Sequence, residues 1–266
     1  MARTSAAPPR VLVDGVEFDS LTATQVTDRV ATAWSAGHGG IIITPNVDIL
    51  RQLRRPDLRH LASSAALVVA DGAPVTWAAR LRGASLPERV TGAQLVWHLA
   101  EAAQRHDRSI FLLGAGAGVA ERAAVNFTTK YSGLRVAGVH SPPPRFEALA
   151  GEFDKIDRIL TKDQPDIVFV SLGFPRQEKL AVQLSRNHPR LWFLCCGGAM
   201  DMAAGDVPRA HPILQRMGAE WLHRLAHEPR RLARRYIVDD LPYTTGLLVR
   251  SWLERPRANA RKSHPR

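Results

Sequence analysis

Polar side chains that could do chemistry follow several short apolar runs of the sequence. Asp71 follows one such run, Thr44 and Asn46 follow a second, and Gln177 and Glu178 follow a third. A carboxylate there could act as a general base, and hydroxyl and amide groups could hydrogen-bond a sugar or a base. Each of these side chains could also serve only to cap a helix or to end a strand. Because ligands of parallel α/β sheets bind beyond the carboxyl ends of the strands, we predict one shared substrate-binding site.

The glycine-rich segment GAGAG, which begins at Gly114, follows a fourth apolar run. A glycine-rich turn at the N-terminus of a helix can bind a diphosphate through backbone N–H groups. The segment departs from the dinucleotide fingerprint G-x-G-x-x-G, because its third glycine, Gly118, comes one position early. The segment therefore favours a diphosphate ligand over a nicotinamide cofactor, and a Rossmann oxidoreductase is kept as an alternative.

Motifs for metal binding and for a nucleophile are absent from the sequence. It contains no D-x-D, no H-E-x-x-H, no Cys/His cluster and no G-x-S-x-G elbow. We therefore predict no metal and no cofactor, and we expect arginines and backbone dipoles to meet any phosphate charge. Cys195 and Cys196 are adjacent and would point to opposite faces of a strand, so we predict two buried thiols in a reducing compartment.

Seven apolar runs, separated in many places by amphipathic helical patterns, extend through residues 11–208. This alternation predicts an α/β fold with a mostly parallel sheet that is covered by helices on both faces. Later residues instead predict apolar, arginine-rich helices, one of which we expect to begin at Pro229. We predict an α/β body over 11–208, a basic helical C-terminal appendage over 209–255, and disordered tails at 1–10 and 256–266.

The net charge of +11 is concentrated at the C-terminal end of the chain. Residues 209–266 contain thirteen Lys and Arg against five Asp and Glu. Such a basic segment suggests a phosphate-bearing partner, which could be nucleic acid, an anionic lipid surface or a phosphorylated substrate. The sequence has no RNP, KH or helix-turn-helix pattern, so we predict no specific nucleic-acid binding and keep a nucleic-acid-binding protein as the less favoured alternative.

The segment 243–257 combines apolar side chains with arginine, as helices on an anionic membrane surface do. Leu247, Trp252 and Leu253 lie near Arg250 in this segment. No run approaches the roughly 18 apolar residues of a membrane span, and the first ten residues lack the apolar stretch of a signal peptide. We predict a cytoplasmic protein that is held peripherally at the inner face of the cell membrane by its appendage; an ordinary core-packing helix is the alternative.

An ordered series of segments carries a resemblance to a known family. The segments are TPNVD (44–48), ADG (70–72), RVTGAQL (89–95), FLLGAG (111–116), SLGFPRQEK (171–179), GGAMDMAAGDVPRA (197–210) and GAEWLHRLAHEPRRLARRY (218–236). Each segment is weakly specific alone, but their common order and spacing over residues 41–236 are very specific. The sequence resembles the WecG/TagA/CpsF glycosyltransferases.

The resemblance implies a Rossmann-like α/β body with a C-terminal helical appendage that completes the active site at the membrane surface. It also implies a metal-independent, inverting hexosyltransferase that acts in cell-surface polysaccharide or teichoic-acid-type synthesis. The donor would be a UDP-sugar, and the acceptor would be a polyprenyl-diphosphate-linked sugar, typically N-acetylglucosamine on undecaprenyl diphosphate. N-Acetylmannosamine is the first candidate for the transferred sugar, with glucose, glucuronic acid and mannosaminuronic acid as alternatives. Relatives form dimers and trimers, so a homo-oligomer is a further expectation.

The resemblance assigns roles to individual residues of the body. Asp71 matches the acid proposed as the general base, and Thr44 and Asn46 match pocket residues beside it. Arg89 and Gln177 match polar residues near the donor.

Three arginines of the predicted appendage match the arginine set of the family in their spacing. Arg224, Arg231 and Arg234 are separated as i, i+7 and i+10, which would place them on one broad face of a single helix. The resemblance implies that they reach the UDP diphosphate.

Overall fold

The chain begins with a β-hairpin that stands apart from the main sheet. The structure, a computed structural model, describes residues 9–208, 211, 214, 220–227 and 229–255, with the backbone alone at residues 223, 224, 227, 230 and 231. Strand β1 (Arg10–Val13) pairs antiparallel with β2 (Val16–Asp19). Asp14 and Gly15 turn the chain with φ of 47° and 82°, the left-handed conformation that Asp-Gly hairpin turns require.

The hairpin differs from the sequence pattern in two respects. The run RVLVDGVEF, one of the seven apolar runs, forms two strands outside the parallel sheet, because the Asp-Gly turn folds it back on itself. Arg10, the last residue of the predicted tail, is the first residue of β1, and its Nε lies 3.1 Å from Asp19 Oδ1. Residues 1–8 and 256–266 lie outside the described residues, so the predicted tails stay predictions.

Six parallel strands form the central sheet, as the alternation of apolar runs and helices predicts. They are β3 (Gly40–Ile43), β4 (Leu67–Val68), β5 (Ser109–Gly114), β6 (Arg135–His140), β7 (Ile167–Ser171) and β8 (Trp192–Cys195). Their spatial order is β4-β3-β8-β7-β5-β6, and every paired neighbour runs parallel. The connection after β5 leads to the sheet edge, whereas the connection after β7 leads back toward β3. The sheet therefore has the switch in strand order beside which ligands bind in open α/β folds.

Helices cover both faces of this sheet. They are α1 (Ala23–Ser35), α2 (Val47–Gln52), α3 (Pro56–Ser63), α4 (Ala73–Leu81), α5 (Gly92–Arg105), α6 (Val119–Lys130), α7 (Glu152–Asp163), α8 (Arg176–Asn187) and α9 (Ala199–Ala203). Helices α1, α5, α6 and α9 pack on one face, and α2, α3, α4, α7 and α8 pack on the other. This is the Rossmann-like α/β arrangement that was predicted.

Alternate residues of the strands supply two separate cores. Leu112 and Phe169 are buried on the α5 face, whereas Phe111 and Phe193 are buried on the α8 face. Burial of each such side chain contributes roughly 1.5–3 kcal/mol. The strand ends are therefore held on a rigid support.

The helices begin where polar caps precede apolar patterns. Thr22 and Gln25 form a reciprocal capping box at the start of α1. Asn46 and Thr91 cap α2 and α5 by accepting hydrogen bonds from the backbone N–H groups of Ile49 and Gln94, each at 3.1 Å. Two residues near the predicted site, Asn46 and Thr91, thus also fix where helices start.

The described part of the C-terminal segment is helical and contains no strand. It comprises α10 (Glu220–His227), α11 (Pro229–Ala233), a π-helical segment (Arg234–Asp240) and α12 (Leu241–Leu253). Pro229 is the first residue of α11, as predicted. Helix α12 packs against α4 of the body. None of the described helices is long and apolar enough to cross a membrane.

Candidate active site

A cleft of about 890 Å³ opens at the carboxyl ends of the parallel strands. Residues at or beyond the ends of all six strands line it, and Leu232, Arg235 and Tyr236 contribute from the appendage. Thr44, Asn46, Asp71 and Gln177 are among the lining residues, whereas Glu178, Arg89, Gly114 and Arg234 are not. The volume lies within the range of roughly 300–1,000 Å³ found for small-molecule and cofactor sites.

Asp71 lies at the N-terminus of α5. Its Oδ2 accepts a hydrogen bond of 3.3 Å from the backbone N–H of Gly92, the first residue of that helix. Its own backbone N–H donates to the carbonyl of Pro45 at 3.1 Å. The helix that follows it, α4, has Gly72 at its N-cap, a residue without a side chain that could cap the helix. The positive end of α5 stabilises negative charge on this carboxylate, which faces the cleft.

Gly92 allows α5 to approach the strand ends closely. A Cβ at this position would lie 3.1 Å from the carbonyl oxygen of Cys196 and 3.5 Å from Thr44 Oγ1. Thr44 itself is buried and lines the cleft. Because Gly92 has no side chain, the N-terminus of α5 lies close to Thr44 and Asp71 in one corner of the cleft.

Asn46 combines a structural and a potential binding role. Its Oδ1 accepts the capping hydrogen bond from Ile49 N–H at 3.1 Å. The amide hydrogens are the part of this side chain that could donate to a ligand.

The side chain of Gln177 links two loops of the cleft. This side chain is buried, and its Oε1 accepts from the backbone N–H groups of Gly173 at 3.2 Å and Gly197 at 3.0 Å. Its Nε2 donates to Glu178 Oε1 at 2.8 Å. Gln177 therefore holds the loop after β7 against the loop after β8, a role that the sequence pattern does not reveal.

Glu178 lies beneath the cleft and is buried. Among the described residues, its Oε2 has no hydrogen-bond partner. Burial raises the pKa of Glu178 to about 7, and the hydrogen bond from Gln177 opposes this shift. Burial, followed by the charge of Glu178, also raises the pKa of the neighbouring Cys195 thiol. Both cysteines are buried free thiols, as predicted.

Gly114 shapes the glycine-rich loop without lining the cleft. Its φ is +102°, and a Cβ there would lie 2.4 Å from the carbonyl oxygen of Ser171. The next residue, Ala115, donates its N–H to the same carbonyl at 2.7 Å. Only glycine lets the loop cross the end of β7 this closely, and residues 115–117 then line the cleft ahead of α6.

Among the described side chains of the appendage, that of Arg235 is the arginine that lines the cleft. Its Nη2 lies 2.8 Å from Asp48 Oδ2, and the other oxygen of Asp48 pairs with Arg51 Nη2 at 2.7 Å. The predicted arginine is the preceding residue, Arg234, which is exposed. Asp48, the acid of the TPNVD segment, is the one feature of the sequence that could have predicted a basic partner for this part of the cleft.

The other two predicted appendage arginines lie on described helices. Arg224 is in α10 and Arg231 is in α11, and both side chains lie outside the described residues. Arg89 connects the body to α10, because its Nη1 lies 3.2 Å from Glu220 Oε2.

A carboxyl of the appendage, Asp240, completes the network around Asp48. Burial raises the pKa of Asp240 to about 6, the charge of Asp48 adds to the rise, and Arg235 and Arg51 oppose it. The network thus joins α2 to the π-helical segment through two carboxylates and two guanidiniums.

Comparison with known proteins identifies the family. The sequence profile of the glycosyl transferase WecG/TagA/CpsF family matches residues 11–258. The chain belongs to this family. It is therefore a glycosyltransferase of the hexosyltransferase class.

Three curated relatives carry the same name, N-acetylglucosaminyldiphosphoundecaprenol N-acetyl-beta-D-mannosaminyltransferase. The protein from Bacillus subtilis (strain 168) is 28% identical over 197 residues, which is 74% of this chain and 75% of the relative. The protein from Staphylococcus aureus (strain MW2) is 26% identical over 232 residues, or 85% and 87% of the two chains. The protein from Bacillus spizizenii is 26% identical over 217 residues, or 81% and 82%.

The WecG/TagA/CpsF segments of this chain converge on the cleft. TPNVD supplies Thr44, Asn46 and Asp48, ADG supplies Asp71, and the arginine-rich ending supplies Arg235. Within the described part of the chain, no group of three or more His, Cys, Asp or Glu side chains could hold a metal ion.

Proposed function

We propose that this glycosyltransferase moves N-acetylmannosamine from UDP-N-acetylmannosamine to N-acetylglucosamine on undecaprenyl diphosphate, with inversion at the anomeric carbon. The observation that carries the mechanism is the carboxylate of Asp71, which faces the cleft from the N-terminus of α5. The names of the three relatives support the choice of donor sugar and acceptor.

Asp71 acts as the general base in this proposal. Its carboxylate takes the proton from the acceptor hydroxyl as that oxygen attacks the anomeric carbon. The bond between the anomeric carbon and the UDP oxygen breaks as the new glycosidic bond forms, and UDP leaves from the opposite face. Thr44 and Asn46 hydrogen-bond the sugars beside the base, because both line the same part of the cleft.

Guanidinium groups and backbone N–H groups stabilise the leaving diphosphate. Arg235 supplies a guanidinium from the appendage, and Gly116 and Ala117 supply N–H groups ahead of α6. Arg224, Arg231 and Arg234 remain proposed members of the same arginine set. Transfer without a metal fits this chemistry, because the developing charge is met by fixed cations.

Four further residues support the substrates indirectly in this proposal: Gln177, Glu178, Gly114 and Arg89. Gln177 and Glu178 order the loops that contain Gly173 and Gly197. Gly114 sets the path of the glycine-rich loop that begins at this residue. Arg89 holds α10 on the body through Glu220.

The appendage also places the enzyme on the cytoplasmic face of the membrane, where a lipid-linked acceptor would be found. On α12 the side chains of Trp252 and Leu253 are 61% and 67% exposed. Exposed Trp and Leu beside arginine favour the headgroup region of an anionic bilayer. Attachment is thus peripheral in this proposal.

The test is UDP release from a panel of UDP-sugars with a lipid-diphosphate N-acetylglucosamine acceptor, with and without EDTA. We expect UDP-N-acetylmannosamine to turn over, EDTA to have no effect, and Asp71→Asn to lose about a hundredfold or more of the rate. Asp28→Asn, which changes an exposed acid on α1, is the matched control and should keep the wild-type rate. Equal rates for Asp71→Asn and wild type would overturn the role of Asp71, and turnover of another donor alone would overturn the sugar assignment.

A further inference from the structure

A second cavity, of about 260 Å³, lies between the β1–β2 turn, α3, the end of α4 and α12. Among the described residues, it shares no lining residue with the cleft. Four arginines line it: Arg54, Arg59, Arg82 and Arg250. They come from three separate parts of the chain, residues 54–59, residue 82 and residue 250, which the fold brings together at one place.

The carboxylates in this second cavity neutralise only part of that charge. Asp14 accepts from the Tyr243 hydroxyl at 2.6 Å and from Arg250 Nη2 at 3.1 Å, and Arg54 Nε lies 3.9 Å from it. Glu254 pairs with Arg82. Both acids are therefore already engaged, and four guanidiniums facing two carboxylates leave two positive charges in excess.

Hydrogen-bond donors at the same place lack acceptors. Arg250 Nε is buried and has no hydrogen-bond partner in the described part of the chain. Arg59 is exposed and forms no ion pair with any described residue. Arg59 therefore offers a guanidinium that no described carboxylate neutralises, and an anionic ligand in the cavity could pair with it without displacing an ion-pair partner.

We propose that this second cavity binds a phosphate group that carries two negative charges. The excess charge matches such a group, and planar guanidiniums bind its oxygens through paired N–H donors. Leu12 and Leu247 form an apolar part of the lining, which suits an organic substituent on the phosphate. The headgroup of an anionic lipid and a soluble phosphate share this chemistry, and the experiment distinguishes them.

The test compares two double variants of the full-length protein. Arg54→Gln/Arg59→Gln removes two charges from the second cavity. Arg186→Gln/Arg190→Gln removes two charges from exposed positions elsewhere and is the matched control. Inorganic phosphate is titrated calorimetrically at constant ionic strength, and sedimentation is measured with phosphatidylcholine vesicles that contain or lack phosphatidic acid. We expect the cavity variant to lose about tenfold or more in affinity and the control to stay within about twofold of wild type.

Each outcome decides the proposal. Loss of saturable binding of inorganic phosphate in the cavity variant alone supports a soluble phosphate ligand. Loss of binding to phosphatidic acid vesicles in that variant alone supports a lipid headgroup. If the two double variants do not differ in either assay, the proposal is overturned, whether or not the enzyme transfers the proposed sugar. A phosphate bound in the catalytic cleft would give this last result, because Arg54 and Arg59 do not line that cleft.

Discussion

Glu178 illustrates how a single buried side chain couples the stability of the fold to pH. Its pKa is raised from an ordinary value of 4.5 to about 7 by burial. Below pH 4.5 the carboxyl is protonated in both the folded and unfolded states, so its contribution to stability is fully present. As the pH rises through about 7, the unfolded state releases this proton more readily, and that contribution is lost.

We predict that Glu178→Gln removes this pH dependence. The free energy of unfolding of the wild type should fall, relative to that of the variant, by roughly 3 kcal/mol as pH rises from 4.5 to 7. Urea denaturation at a series of pH values measures the difference. Glu121→Gln, an exposed change on α6, should follow the wild-type curve. Parallel curves for wild type and Glu178→Gln would contradict the prediction.

Gln177 is predicted to act on catalysis by holding loops. Gln177→Ala leaves the N–H groups of Gly173 and Gly197 without their acceptor, which should destabilise the fold by about 1–3 kcal/mol and lower kcat. Gln177→Glu keeps an acceptor oxygen, so it should recover part of the loss at a pH where Glu178 is protonated. The test is to measure kcat for both variants from pH 5.5 to 8.5, at intervals of about half a pH unit. Equal loss in both variants at every pH would argue against the loop-holding role.

Residue types at strand ends predicted much of the cleft but not the partners of its side chains. Thr44, Asn46 and Asp71 line the cleft because each follows a parallel strand, and that placement can be inferred from the apolar runs alone. The orientation of the Gln177 amide depends on two glycine loops that come together only in the folded sheet. No local pattern in the sequence contains that information.

The junction of α2 with the appendage depends on the pair formed by Asp48 and Arg235. We predict that Arg235→Gln lowers the affinity for UDP about tenfold, because a guanidinium is removed from the cleft. Arg186→Gln, which changes an exposed arginine on α8, is the matched control and should stay within about twofold, and Arg234→Gln is measured beside it. Isothermal titration with UDP measures all three. A larger loss for Arg234→Gln than for Arg235→Gln would favour the arginine set taken from the family spacing.

The pair can also be tested by a double-mutant cycle. Asp48→Asn and Arg235→Gln should show a coupling energy of about 0.5–3 kcal/mol in the free energy of unfolding, as residues in direct contact do. Additive effects would mean that the 2.8 Å contact between Asp48 and Arg235 does not contribute to docking of the appendage.

The elements themselves show why the body was easier to predict than the appendage. Strands and helices of the body alternate in a regular pattern, and capping residues such as Thr22 mark where helices start. The Asp-Gly pair of the hairpin turn lies inside one apolar run, RVLVDGVEF, so hydrophobicity alone does not separate β1 from β2. In the appendage, Pro229 starts a new helix and residues 234–240 form a π-helical segment, so i, i+7 and i+10 do not define one helix face.

Helix α12 is predicted to hold the enzyme on membranes. Trp252→Ser/Leu253→Ser removes two exposed apolar side chains from α12 and should abolish flotation with anionic vesicles. Val125→Ser/Leu149→Ser changes two exposed apolar side chains on other parts of the body and should float like wild type. Flotation of wild type should weaken as salt rises, because arginine attraction to the leaflet is screened. Undiminished flotation of the α12 variant would place the membrane contact elsewhere.

The two buried cysteines at the wall of the cleft, Cys195 and Cys196, can report local opening of the fold. Burial raises the pKa of both Cys195 and Cys196, so the folded protein presents almost no reactive thiolate to an alkylating reagent at neutral pH. The two side chains lie in different cores, one on each face of the sheet. Mass spectrometry can measure the alkylation rate of each cysteine separately. The two rates would therefore report local opening of the helical layer on each face of the sheet.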